Sequence, residues 1–130
     1  MENARILIVD DDVDLTKALK ITLESRKYAV DTAASRAEGM EKARARKPDL
    51  FILDVVMESW EDGFEMAREL KADPQFKDTP ILMLTSIEER TGIGFKSSAG
   101  DPDWLPVEGF LDKPVEPEVL LAEVKRLVAK

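Results

Sequence analysis

ILIVDDDVDL, residues 6 to 15, runs four aliphatic side chains straight into Asp10, Asp11 and Asp12, with Asp14 close behind. An unbroken apolar run of this length reads as a strand buried on both faces, the kind found in a parallel sheet covered by helices. Carboxylates crowded at the end of such a strand repel one another. The cluster is therefore either spread into solvent or gathered around a cation that neutralises it.

The same strand signature recurs along the chain. Apolar runs at Arg5–Val9, Tyr28–Ala33, Leu50–Val55, Pro80–Leu84 and Gly109–Leu111 are separated by stretches at helical spacing. The first such stripe is Leu15, Leu19, Thr22 and Leu23. Ser35 and Glu38 form an S-x-x-E capping box ahead of Met40 and Ala43. Phe64, Ala67 and Leu70 form a third stripe, ending near Asp73 and Pro74, and Val119, Leu120, Val124, Leu127 and Val128 form the last. Alternation of this kind predicts an α/β fold, a three-layer, doubly wound sheet of five parallel strands. The segment 88–106 is the exception: Gly92, Gly94, Gly100, Pro102 and Pro106 oppose a regular helix and predict an irregular or shortened fourth one.

Composition narrows the function. A chain of 130 residues, 44% hydrophobic, fits one domain spanning 1–130 and buries roughly two thirds of its unfolded surface. The absence of cysteine excludes disulfides and thiolate metal sites, and the absence of histidine excludes Ser–His or Cys–His nucleophiles and histidine metal centres. There is no long apolar span and no signal-like N-terminus, so the expected setting is cytoplasmic, with no membrane contact. A net charge of -8 speaks against direct nucleic-acid binding.

In a doubly wound sheet, ligands sit beyond the carboxyl ends of the strands. Those ends carry Asp10 and Asp11 after the first strand, Asp54 on the third, Thr85 on the fourth and Lys113 after the fifth. Three carboxylates suit a hard cation such as Mg²⁺, and a hydroxyl beside an ammonium suits a phosphoryl group.

The motifs VDD, FILD, LTS and DKP, in this order at successive strand ends, resemble the receiver domain of two-component response regulators over essentially the whole chain. The resemblance implies the flavodoxin-like strand order 2-1-3-4-5. It implies a phosphoacceptor at Asp54 and Mg²⁺ held by Asp10, Asp11, Asp54 and the carbonyl of Val56. Thr85 and Lys113 would contact the phosphoryl group, and Thr85 and Phe110 would act as switch residues. It also implies partners: a histidine kinase or histidine phosphotransfer protein as donor, a downstream protein target, and scope for a phosphorylation-dependent homodimer. On this reading the chain is a signalling switch and not an enzyme. Asp12 and Asp14 then belong to the start of the first helix, whose dipole favours negative charge.

Two other readings compete. DDDVDLT can be aligned with the D-x-D start of haloacid-dehalogenase-type phosphohydrolases, but Val13 stands where those enzymes usually have glycine, and Asp54 would have no role. A receiver-like binding module that is never phosphorylated is the other, prompted by the loop ESWEDG after Met57, which departs from the Met-Pro of most receivers. The interval from Thr85 to Lys113 is also longer than most receivers have. In the receivers that the chain resembles, the side chains two positions after the phosphorylated Asp and the switch Thr flank the path of the hydrolytic water. Here these are Val56 and Ile87, both apolar and β-branched, so the resemblance implies slow self-hydrolysis of the phosphorylated form. Trp60 and Trp104 read as loop residues partly buried under their own segments.

Overall fold

The computed structural model describes residues 4–54, 62–85, 108–112 and 115–128, with backbone alone at 62–64, 85, 110 and 112. Strands β1 (Arg5–Val9), β2 (Ala29–Ala33), β3 (Leu50–Asp54), β4 (Ile81–Thr85) and β5 (Gly109–Asp112) are accompanied by helices α1 (Val13–Glu24), α2 (Arg36–Ala45), α3 (Asp62–Ala72) and a C-terminal helix (Pro117–Val128). The strands form one sheet in the order β2-β1-β3-β4-β5, with every pairing parallel. The doubly wound parallel sheet is the one expected from the alternation of apolar runs, and its flavodoxin-like order is the one that the resemblance implied. The irregular fourth helix foreseen at 88–106 lies outside the described residues, as does Val55 at the expected end of the third strand.

Alternation along each strand divides the core between the two faces of the sheet. Leu7, Val9, Phe51, Leu53 and Met83 face a layer that includes Met40 and Ala43 of α2 and Met66, Ala67 and Leu70 of α3. Ile6, Ile8, Leu50, Ile52, Leu82 and Leu84 face Leu19 and Leu23 of α1 and Leu120, Val124 and Leu127 of the C-terminal helix. Both faces are covered, which is why the strands read as continuous apolar runs rather than alternating ones.

The helices begin where their caps allow. Asp12 Oδ1 accepts the backbone N–H of Leu15 at 3.1 Å, and Ser35 Oγ accepts that of Glu38 at 3.2 Å. The second half of the capping box is displaced by one residue: Glu38 Oε1 accepts the N–H of Ala34, which precedes the cap, at 2.8 Å. Helix α1 ends through Lys27, whose φ of 70° is left-handed. Strand β2 accordingly starts at Ala29 rather than Tyr28, because the N–H of Tyr28 turns back to the carbonyl of Leu23.

Two stripes differ from the sequence reading. Val119 is 49% exposed on the outer side of the C-terminal helix, while Leu120, Val124, Leu127 and Val128 are buried. On α1 the buried residues are Thr16, Leu19 and Leu23, with Leu15 and Thr22 only half-buried. Strand β4 starts at Ile81, one residue late, because Pro80 can accept from the N–H of Phe51 but has no N–H to donate. It runs one residue further, to Thr85, and β5 runs to Asp112.

Candidate functional site

Register brings the acidic residues together. Val9 pairs with Leu53 across β1 and β3, so Asp10 follows one strand where Asp54 ends the other. Asp10, Asp11 and Asp54 each present a carboxylate oxygen, and all of these oxygens lie within 4.8 Å of one another. Asp10 and Asp54 are buried, at 2% and 3% exposure, whereas Asp11 is exposed. The acidic run thus divides as its chemistry requires. Asp12 is spent on the cap of α1 and Asp14 lies in its first turn, while Asp10 Oδ1 takes the N–H of Asp12 at 2.9 Å.

Two nearly buried carboxylates and a third at the rim form an all-oxygen donor set of high negative charge. Such a set fits a hard divalent cation that retains part of its water shell, and does not fit soft metals. The backbone at this point is fixed on both sides: the N–H of Asp10 donates to the carbonyl of Ala33 at 3.0 Å, tying the acidic loop to the end of β2.

A flank of the site not foreseen from the sequence lies on α2. A cavity of ≈ 170 Å³ beside Asp10 is bounded by Thr16, Thr32, Glu38 and Lys42. The Lys42 ammonium donates to the carbonyl of Thr32 and lies 3.2 Å from Glu38 Oε2. The Glu38 carboxyl is held below its ordinary range, chiefly by the Ala34 N–H and secondarily by Lys42. The pair thus clamps the end of β2 that receives Asp10. Its signal was present in the i, i+4 spacing of Glu38 and Lys42 next to the capping box.

The remaining residues are placed by backbone. Thr85 is the last residue of β4, two strands from β1, and pairs with Asp112; Phe110 pairs with Met83. Both therefore stand on the strands that flank the acidic cluster on its β4 side. Lys113, Val56, Ile87, Trp60, Trp104 and the loop after Met57 lie outside the described residues. Among the described residues no helix is long and apolar enough to cross a membrane.

A family model described as the response regulator receiver domain matches residues 6–125. The chain is 35% identical over 129 residues to the DNA-binding dual master transcriptional regulator RpaA of Synechocystis sp., covering 97% of this chain and 49% of that protein. It is 32% identical over 126 residues to Protein PilH of Pseudomonas aeruginosa, covering 97% of this chain and 98% of that one. The solved structure of the chemotaxis response regulator CheY4 of Vibrio cholerae superposes with a TM-score of 0.80 at 34% identity, covering 95% of this chain and 98% of that one. The chain spans about half or less of the length of several curated relatives it matches, PilH being of similar length.

Proposed function

We infer, from the premise that this chain belongs to the family of response regulator receiver domains, that it accepts a phosphoryl group on Asp54. Receivers are phosphoacceptor modules of two-component signalling. The observation that carries the assignment to Asp54 is its burial at a strand end with Asp10 and Asp11 within reach of the same cation. An oxygen of the Asp54 carboxylate attacks the phosphorus of a phosphohistidine on the donor. The new O–P bond forms as the P–N bond breaks, and the electron pair leaves on the imidazole nitrogen, which takes up a proton from solvent.

Asp10, Asp11 and Asp54, with the carbonyl of Val56, would hold Mg²⁺. Bound there, the ion screens the approach of two anions and neutralises charge developing on the phosphoryl oxygens. Lys113 supplies a point charge to those oxygens and Thr85 a hydroxyl donor, and withdrawal of Thr85 toward the phosphoryl group couples to Phe110 on β5. The chain acts as a switch rather than an enzyme. It forms a single unit over 1–130 in the cytoplasm, takes its phosphoryl group from a histidine kinase or phosphotransfer protein, and passes the signal to a protein target or to a second copy of itself. The apolar Val56 and Ile87 leave an attacking water unaided, so phospho-Asp54 persists; Val56→Asn with Ile87→Glu should shorten its lifetime, and an unchanged decay would refute this.

The deciding experiment is phosphorylation by acetyl phosphate with Mg²⁺, followed on a phosphate-affinity gel for wild type and Asp54→Asn. Wild type should shift and the variant should not. A variant that shifts at the wild-type rate overturns the assignment.

A further inference from the structure

At the opposite edge of the sheet, Glu108 makes a set of contacts that the site does not explain. Its Oε1 accepts the N–H of Ile81 at 2.8 Å, and its own N–H donates to the carbonyl of Ile81 at 3.0 Å. Its Oε2 lies 2.9 Å from the Lys71 ammonium, whose side chain is only 14% exposed. Lys71 also donates to the carbonyl of Thr79 at 2.8 Å. The carbonyl of Glu108 accepts from Arg126 of the C-terminal helix at 3.3 Å. One residue thus joins the last turn of α3, the entry to β4, the entry to β5 and the C-terminal helix.

The position matters because β5 is a strand of four residues at the edge of the sheet, with β4 as its sole ladder partner among the described residues. Side chains in a strand alternate faces with a period of two, so a slip of one residue is resisted by the apolar pattern. A slip of two keeps every face and moves the strand by about 6.6 Å. The short sequence GFLD offers little against it. Two features at the amino end do. Glu108 extends the ladder by one bond through its carboxylate, and Gly109 fits beneath the Glu123–Arg126 pair, where an added Cβ would stand 2.8 Å from Glu123 Oε2 and 3.2 Å from Leu82 Cδ1. A two-residue slip that brought Leu111 to this place would drive its side chain into that pair.

We propose that Glu108, braced by Lys71, is a positioning residue for phosphoryl transfer. It fixes the register of β5 on β4, and so the reach of Lys113, one residue past the Thr85–Asp112 pair. The inference rests on the reading of Lys113 as a phosphoryl contact. It differs from a role in general stability in what it leaves untouched. The cation donors stand on β1 and β3, whose register Glu108 does not set.

The test measures two quantities on the same samples at temperatures well below each melting point: the rate of phosphorylation by acetyl phosphate and the affinity for Mg²⁺ alone by calorimetry. Glu108→Ala should slow phosphorylation by about 10-fold or more, since misplacement of a catalytic group by about 1 Å can cost up to 100-fold, while Mg²⁺ affinity stays within about two-fold of wild type on the register argument. Glu108→Gln, whose amide oxygen still accepts the Ile81 N–H but whose amide nitrogen faces the Lys71 ammonium in place of Oε2, should recover only part of the rate. If Glu108→Ala does not fold, Lys71→Met should show the same split between rate and affinity. Equal rates for wild type, Glu108→Ala and Lys71→Met, or a loss of Mg²⁺ affinity in step with the rate, would overturn the proposal. Lys113→Ala identifies the source of a failure: if it phosphorylates at the wild-type rate, the site reading falls and takes this inference with it; if it is slow while Glu108→Ala is not, only the inference falls.

Discussion

Replacing Asp54 by asparagine should stabilise the protein while removing its phosphoacceptor, and the size of the gain can be worked from the acidic cluster. Carboxylate oxygens of Asp10, Asp11 and Asp54 lie within 4.8 Å of one another. Two unit charges at that separation repel by about 3.5 kcal/mol in a protein-like effective dielectric of about 20, and by about 0.9 kcal/mol in water. Asp10 and Asp54 are both buried, so their pair stands nearer the first figure; Asp11 is exposed, so its pair with Asp54 stands nearer the second. Solvent screening and relaxation remove a large part of this sum, leaving an expected gain of about 1–3 kcal/mol. The amide matches the carboxylate in shape, so the packing of β3 is kept.

For a domain of this size each kcal/mol shifts the melting temperature by about 3–5 °C. Asp54→Asn should therefore melt about 3–15 °C above wild type in EDTA, read by circular dichroism. Mg²⁺ at about ten times its Kd should stabilise wild type by RT ln 11, about 1.4 kcal/mol, and the variant by less, because one ligand charge is gone. The gap between the two curves should narrow as Mg²⁺ is added. A variant that melts below wild type in EDTA, or two curves that rise in parallel with Mg²⁺, would refute the picture of like charges held together for a cation.

Three further outcomes follow from particular contacts. Gly39→Ala places a Cβ 2.8 Å from Val9 Cγ2 and 3.0 Å from Met66 Cε; urea unfolding should show a net loss of about 1–2 kcal/mol despite the roughly 1 kcal/mol that alanine ordinarily adds to a helix, and a gain would mean that α2 lifts off β1 freely. Lys27→Gly relieves a left-handed φ of 70° and should raise stability by about 0.5–1 kcal/mol; a loss would show that the lysine side chain outweighs the backbone strain. Glu38 has a depressed folded pKa, so its contribution is present above its unfolded value near 4.5 and is lost as pH falls through the lower folded value. Wild type should accordingly lose stability more steeply than Glu38→Gln as pH drops below about 4.5, and identical slopes would exclude the Ala34 and Lys42 interactions as the cause.

The parts of the molecule that could be read in advance are those fixed by short-range pattern. Runs such as Ile6–Val9 and Leu50–Leu53 are apolar at every position because both faces of the sheet are covered, and that signal survives without knowledge of any partner. Once the strands are placed, a parallel sheet gathers their carboxyl ends, so Asp10 and Asp54 become neighbours although they are far apart in the chain. Asp12 was separable from Asp10 by its place ahead of a helical stripe, and it caps α1. What escaped the sequence depended on angles and on distant pairing. Val119 satisfies helical spacing about as well as Leu120, and only the direction in which the C-terminal helix lies against the sheet decides that Leu120 is buried and Val119 is not. Lys27 gives no hint of its left-handed backbone, because glycine or asparagine would be the usual residue there. Glu108 and Lys71 meet only because β5 lies beside β4, and nothing within a few residues of either announces the pair. Substitutions should divide along the same line. Changes at the carboxyl edge alter charge and ligands at fixed register, whereas changes at the Glu108–Lys71 edge alter register at fixed ligands.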